Sequence, residues 1–150
     1  MRFRFIWVGK TRDENWKALQ DDYLKRLSRF VPCDIAEARE SPKHDTLLIE
    51  SQRILELVNP KTHAVLLDVG GTGLSSHDLA AKVEKWQNLA MKEISFIIGG
   101  SDGVSSAVAE RADDRLSLSF LTFPHEMARV VLLEQLYRAF TILRGFPYQK

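Results

Sequence analysis

The stretch Ile94-Ser95-Phe96-Ile97-Ile98-Gly99-Gly100-Ser101-Asp102-Gly103 decides the fold. Its first half is too short for a helix and rich in β-branched and aromatic side chains, so it reads as a strand buried on both faces. The glycines behind it read as a strand-to-helix loop, where backbone turns tightly or approaches a ligand closely. The same order occurs upstream. Ala64-Val65-Leu66-Leu67 is a buried strand ending at Asp68, and Gly70-Gly71-Thr72-Gly73 follows as a loop. Between the two runs, Leu79, Val83, Trp86 and Met91 recur at helical spacing behind Ser76 as N-cap.

The pattern repeats outward on both sides. Phe3 to Val8 reads as a strand, residues 13–30 as a helix and Cys33 to Ala38 as a strand. A helix through Leu47, Leu48, Leu55 and Val58 stops at Asn59-Pro60. Downstream, Ser105 or Ser106 caps a short helix to about Ala112, and Leu116 to Ser119 is the last strand. Phe123-Pro124-His125 opens a long helix through Leu143, which Gly145 ends. Regular β-α alternation predicts an α/β fold, a mostly parallel sheet with helices on both faces. At 150 residues, one domain over 1–150 is expected, with a core that needs no staples.

Charge narrows the partners. Lys and Arg number 21 and Asp and Glu 20, which excludes a generally basic coat. The distribution is uneven, however. Residues 1–30 hold 8 basic and 4 acidic groups, residues 31–124 hold 9 and 14, and residues 125–150 hold 4 and 2. Basic ends that meet in the fold, or across a dimer, would make one positive surface. No apolar run is long enough for a membrane span, and the start lacks a signal-peptide pattern. Cys33 is the lone cysteine, so no internal disulfide and no cysteine zinc site are expected. His44, His63, His77 and His125 show no metal-ligand spacing. These features together predict a cytoplasmic protein without metal or membrane partners.

Ligands of open α/β sheets sit beyond the carboxyl ends of the strands. The loops 68–73, 99–103 and 119–125 fall there. Phosphate-loop, dinucleotide and serine-nucleophile patterns are all absent. His125 shares a helix face with Arg129, four residues on, and Glu134 stands beside the inward stripe, where an ordinary surface pair with Arg138 also explains it. The tail Phe146-Pro147-Tyr148-Gln149-Lys150 joins aromatics to a cation, a combination that stacks on a base and touches a phosphate.

Several segments together resemble one family. They are Leu66-Leu67-Asp68, Ile97-Ile98-Gly99-Gly100-Ser101-Asp102-Gly103, Leu116-Ser117-Leu118-Ser119, Leu121-Thr122-Phe123-Pro124-His125 and Glu134-x-x-Tyr137-Arg138-Ala139, with the opening strand and the Pro147-Tyr148 tail. The family is that of ribosomal RNA large subunit methyltransferase H, small enzymes of the SPOUT class. The resemblance implies a C-terminal trefoil knot, a homodimer and S-adenosylmethionine as cofactor. It also implies methylation at N3 of a pseudouridine in the helix 69 loop of 23S rRNA, within assembled 70S ribosomes. Matched residue by residue, it places the cofactor at Leu67, Gly100 and the segment Ser119-Phe120-Leu121-Thr122-Phe123-Pro124. It sets His125, Arg129, Glu134, Tyr148 and Lys150 near the substrate, as catalytic candidates.

One position departs from the family. The usual tail carries histidine after Pro-Tyr, and here Gln149 stands in its place. Glutamine hydrogen-bonds but takes no proton. A non-catalytic ribosome- or RNA-binding protein of the same fold therefore stays open as an alternative, as does an enzyme using the glycine loops for another small ligand.

Overall fold

A computed structural model describes residues 1–42 and 46–148. The strands are β1 (Arg2–Val8), β2 (Cys33–Ala38), β3 (His63–Gly73), β4 (Glu93–Ile98) and β5 (Asp114–Ser117). The helices are α1 (Glu14–Leu27), α2 (Thr46–Leu57), α3 (Ser76–Asn88), α4 (Ser106–Arg111) and α5 (His125–Arg144). The five strands form one sheet in the order β2-β1-β4-β3-β5, parallel throughout.

Alternation along the central strands builds two cores. Phe3, Phe5, Trp7, Ile94, Phe96 and Ile98 point to one face and pack against Leu27 of α1, Leu79 and Trp86 of α3, and Leu132 and Leu136 of α5. Ile6, Val8, Leu66 and Ile97 point to the other and meet Ile54 of α2 and Val108 of α4. The larger core is aromatic. The Phe3 ring meets Phe96 edge-on at 5.2 Å, and Phe5 stacks on Phe96 at 5.5 Å. The expected helices on both faces are therefore present.

Local chemistry sets the helix ends. Asp13 caps α1 by accepting from the backbone N–H of Asn15 and Trp16. The cap of α3 is Ser75, one residue before the expected Ser76. Its side chain accepts from Asp78 N, and the Asp78 carboxylate accepts from Ser75 in return. Gly145 closes α5 at φ +67°, the left-handed turn that glycine adopts freely.

Two boundaries correct the sequence reading. The glycine segment 70–73 belongs to β3, which runs on to Gly73. Leu67 and Thr72 both pair with Leu116, so residues 68–71 bulge out of the ladder and the strand then resumes. Gly71 makes this possible, since a side chain there would meet the Arg115 carbonyl at 2.8 Å. The last strand is Asp114–Ser117, which leaves Leu118 and Ser119 in the loop that leads to α5.

Candidate functional site

A cavity of about 550 Å³ opens at the carboxyl ends of β3, β4 and β5. Three connections wall it. The β3 bulge supplies Asp68 and Val69, the β4–α4 loop supplies Gly99, Gly100, Ser101, Gly103 and Val104, and the β5–α5 loop supplies Leu118 to Pro124 except Phe120. The size suits a nucleoside-sized ligand. Its glycines are structural requirements. A side chain at position 99 would meet the Gly103 carbonyl oxygen at 2.6 Å, and Gly103 itself sits at φ +81°.

The β5–α5 loop has unusual backbone chemistry. Ser117 Oγ donates to the Ser119 carbonyl and Leu121 N–H donates to Ser119 Oγ, both at 3.0 Å. The peptide groups of Phe120, Thr122 and Phe123 bond to no other described residue. The loop is thus braced by two serines while its donors and acceptors stay available. A ligand that enters this cavity meets the unbonded peptide groups of Thr122 and Phe123 between apolar walls of Leu67, Leu121 and Phe123. Those residues fit a purine nucleoside, whose ring needs flat apolar contact and edge hydrogen bonds.

The structure brings together Leu67, Gly100, Ser119, Leu121, Thr122, Phe123, Pro124 and His125 around this cavity. It leaves Phe120 outside, with its side chain 80% exposed. Sequence reasoning passed over Ile98, Val104, Leu118 and Ala128, which complete the walls. Ala128 carries one signal, since it lies one helical turn beyond Pro124.

The other substrate-side candidates lie apart. Arg129 is fully buried. Its Nη2 donates to the Val8 carbonyl at 2.6 Å, its Nη1 donates to Thr11 Oγ1 at 2.9 Å, and its guanidinium lies 4.9 Å over the Trp7 ring. Burial without a paired carboxylate pulls its pKa down to about 10. Arg129 therefore ties α5 to the end of β1 and does not line the cavity. Glu134 accepts from Arg138, from Gln135 and from Tyr148. It stands nine residues along α5 from His125, about 14 Å at helical rise. Burial, then Tyr23 and Glu134, hold the Tyr148 hydroxyl above the usual tyrosine range. Lys150, Gln149 and His44 lie outside the described residues.

Two further groups lie away from the cavity. Cys33 on β2 is half-buried, and burial pushes its thiol up to about 12. At the opposite end of the sheet, Asp114 takes His63 at 2.7 Å and Lys82 at 3.0 Å. Burial works against that carboxylate, but the hydrogen bonds from His63 and Lys82 prevail and keep it below the usual carboxylate range. No cluster of three metal-ligating side chains occurs among the described residues, and none of their helices is long and apolar enough to cross a membrane.

Comparison with known proteins bears on the chemistry. The family model described as "Predicted SPOUT methyltransferase" matches residues 1–149. Proteins named ribosomal RNA large subunit methyltransferase H are similar over the whole length. That of Gloeobacter violaceus is 44% identical over 151 residues, covering 99% of this chain and 98% of the relative. That of Sorangium cellulosum is 42% identical over 148 residues, covering 99% of each. Among solved structures, a probable methyltransferase from Bordetella pertussis superposes with a TM-score of 0.59 at 14% identity. It covers 92% of this chain and 95% of its own. At that identity the likeness concerns the fold alone.

Proposed function

Because the chain belongs to the SPOUT methyltransferase family, we propose that it methylates N3 of a pseudouridine in the helix 69 loop of 23S rRNA. The methyl donor is S-adenosylmethionine, and the substrate is the assembled 70S ribosome in the cytoplasm. Family membership implies the C-terminal trefoil knot. The observation that carries the reading is the β5–α5 loop, whose free peptide groups edge an apolar cavity of about 550 Å³.

When bound, S-adenosylmethionine supplies a methyl group activated by its sulfonium. The protein does the rest by placement. Peptide groups of Thr122 and Phe123 would hold the adenine edge, Leu67 and Leu121 would cover its faces, and Gly100 would let the backbone come close. N3 of the uracil ring must lose its proton, to solvent, before it attacks. His125 lines the cavity at the first turn of α5. There its imidazole and the positive end of the helix stabilise the anion on the base.

The remaining candidates act from further away. Arg129 holds the first turn of α5 against β1, and so positions His125. Glu134 anchors Tyr148, which folds back on α5 away from the cavity of its own chain. We assign Tyr148 and Lys150 to the RNA side of a homodimer, where one copy's tail approaches the other copy's cavity.

The test is methyl transfer from labelled S-adenosylmethionine to 70S ribosomes that lack the modification, with the product nucleotide located by mass spectrometry. Label on a pseudouridine of the helix 69 loop is the expected result. Cofactor binding by calorimetry with no label on any ribosomal RNA overturns the enzymatic reading and leaves the binding-only descendant.

A further inference from the structure

A second cavity, of about 770 Å³, lies at the carboxyl ends of β1 and β2. It is lined by Gly9 to Arg12 and by Glu37 to Pro42. Only a thin partition separates it from the first cavity. A side chain at Gly100 would stand 3.8 Å from Val8 and 3.3 Å from Glu50 Oε1, and Glu50 Oε2 accepts from Ser41 N–H at 3.4 Å. Both cavities open on the same end of the sheet. Their centres are about two strands apart, roughly 10 Å.

The charges of this cavity do not cancel. Of the residues that line it, Lys10, Arg12 and Arg39 are cationic and Glu37 and Glu40 anionic, while Arg53 and Arg129 lie behind the wall together with the carboxylates of Glu50 and Glu126. Arg12 pairs with Glu40 at 3.0 Å. Lys10 and Arg39 are exposed and have no carboxylate within 4 Å among the described residues. Arg53 Nη1 donates to the carbonyls of Arg39 and Glu40, at 2.8 and 3.0 Å, and pairs with no carboxylate among the described residues. Arg129 lies beneath the floor, bonded to the Val8 carbonyl and Thr11. With a pKa of about 10 it is charged at neutral pH. A fixed charge in the interior is screened far less than one in water.

The cradle is also rigid. Glu126 Oε1 on α5 accepts from the backbone N–H of Arg12 and of Asp13, both at 3.0 Å. Gly9 N–H donates to the Ala38 carbonyl at 2.7 Å. Thr11 Oγ1, which accepts from Arg129, in turn donates to buried Gln20. Lys10 and Arg39 are thus displayed on backbone held by the buried bonds of Thr11 and Arg129 and by the exposed carboxylate of Glu126. Lys10 and Arg39, which pair with no carboxylate among the described residues, stand beside a cavity for a nucleotide-modifying reaction and suit an oligoanion.

We propose that this second cavity binds a backbone phosphate of the RNA substrate, next to the nucleotide presented to the first cavity. Lys10 and Arg39 contact the phosphate, and Arg129 supplies fixed positive charge below it. The proposal rests on the RNA-methyltransferase reading above, and its test does not depend on turnover. The double variant Lys10→Ala/Arg39→Ala is compared with the unaltered protein by co-sedimentation with unmodified 70S ribosomes over a range of salt. Calorimetry with S-adenosylmethionine reports folding and the first cavity independently.

The double variant is expected to bind ribosomes about tenfold more weakly at low salt, with cofactor affinity retained. Its log-affinity against log-salt slope should be shallower by about 0.7, the share of the one phosphate it no longer neutralises. Lys10→Arg/Arg39→Lys should keep most of the affinity. Unchanged ribosome affinity and salt slope overturn the proposal, even if the variant loses inorganic phosphate binding. So does failure of the unaltered protein to bind ribosomes at all. Binding without methylation by the unaltered protein counts against the enzymatic reading and leaves this one standing.

Discussion

Tyr148 Oη donates to Glu134 Oε1 at 2.9 Å, closing the C-terminal tail back onto the helix it follows. The Tyr148 ring lies edge-on to Tyr137 at 4.8 Å and 4.9 Å from the Arg138 guanidinium. Glu134 is thereby the hub for three partners, a cation (Arg138), an amide (Gln135) and a phenol (Tyr148). Tyr148→Phe keeps the ring contacts and removes one hydrogen bond. The expected loss is about 1 kcal/mol, or roughly 2–4 °C in a thermal melt for a chain of this size. The protein has three tyrosines. A spectrophotometric titration should contain a late tyrosinate component, delayed by burial and by the neighbouring Tyr23 and Glu134, and Tyr148→Phe should lose it. An unchanged titration curve would detach Tyr148 from Glu134 in solution.

Arg129 offers a sharper contrast between roles. Its two Nη atoms are engaged inside the protein by Thr11 and Val8. Arg129→Ala leaves the Val8 carbonyl without its strongest donor and opens a void, and it should cost about 3 kcal/mol. The first turn of α5 carries His125 and Ala128 into the cavity, so cofactor affinity should fall as well. A residue that only touched RNA would leave both properties intact. A chemical denaturation midpoint and calorimetric cofactor affinity equal to those of the unaltered protein would remove the positioning role.

How far the sequence discloses this arrangement depends on the range of the interaction. β1 and β4 are legible because Phe3, Phe5, Trp7, Phe96 and Ile98 alternate or run without polar breaks, which is local information. The end of β3 is not. Glycine is poor in strands, so 70–73 reads as a loop, and only Leu116, far along the chain, reveals the pairing of Thr72. His125 and Arg129 share a helix face by spacing. Spacing does not say that one faces a cavity while the other enters the core, because the partners of Arg129 lie 118 and 121 residues away. Within the segment 119–124, family pattern marks every residue alike, whereas the turn of the backbone sends Phe120 outward. For Glu134, the ordinary pair with Arg138 is present, and the added hydrogen bond from Tyr148 comes from chain beyond the helix.

Two glycines should prove intolerant for steric reasons. Gly99→Ala drives a methyl group to 2.6 Å from the Gly103 oxygen, and Gly71→Ala drives one to 2.8 Å from the Arg115 carbonyl. Both obstacles are backbone, so neither can swing aside. Each variant should lose about 1–3 kcal/mol and more than tenfold in cofactor affinity, because both displaced loops wall the same cavity. Gly70→Ala is the control, since the closest atom to its added carbon is Asp68 Oδ1 at 3.8 Å. If Gly99→Ala binds S-adenosylmethionine as tightly as Gly70→Ala does, the β4–α4 loop is not part of the cofactor wall.

Cys33 gives a pH prediction with a definite sign. Burial raises its thiol pKa in the folded chain from 9.0 to about 12. Between those values the unfolded chain has released a proton that the folded chain still holds. Stability therefore falls as pH rises through this window, and the contribution is fully present below pH 9. Cys33→Ala removes the titration. Its unfolding free energy, followed by denaturant melts, should decline less steeply from pH 9 upward than that of the unaltered protein. The same burial keeps the thiolate scarce at neutral pH, and the Sγ–H is engaged with the Val31 carbonyl at 3.3 Å. Alkylation by iodoacetamide at pH 7.5 should accordingly be slow in the folded protein and rise to the rate of a free thiol in denaturant. Rapid alkylation of the folded chain would show that β2 opens at the sheet edge, and the steeper alkaline decline would then vanish with it.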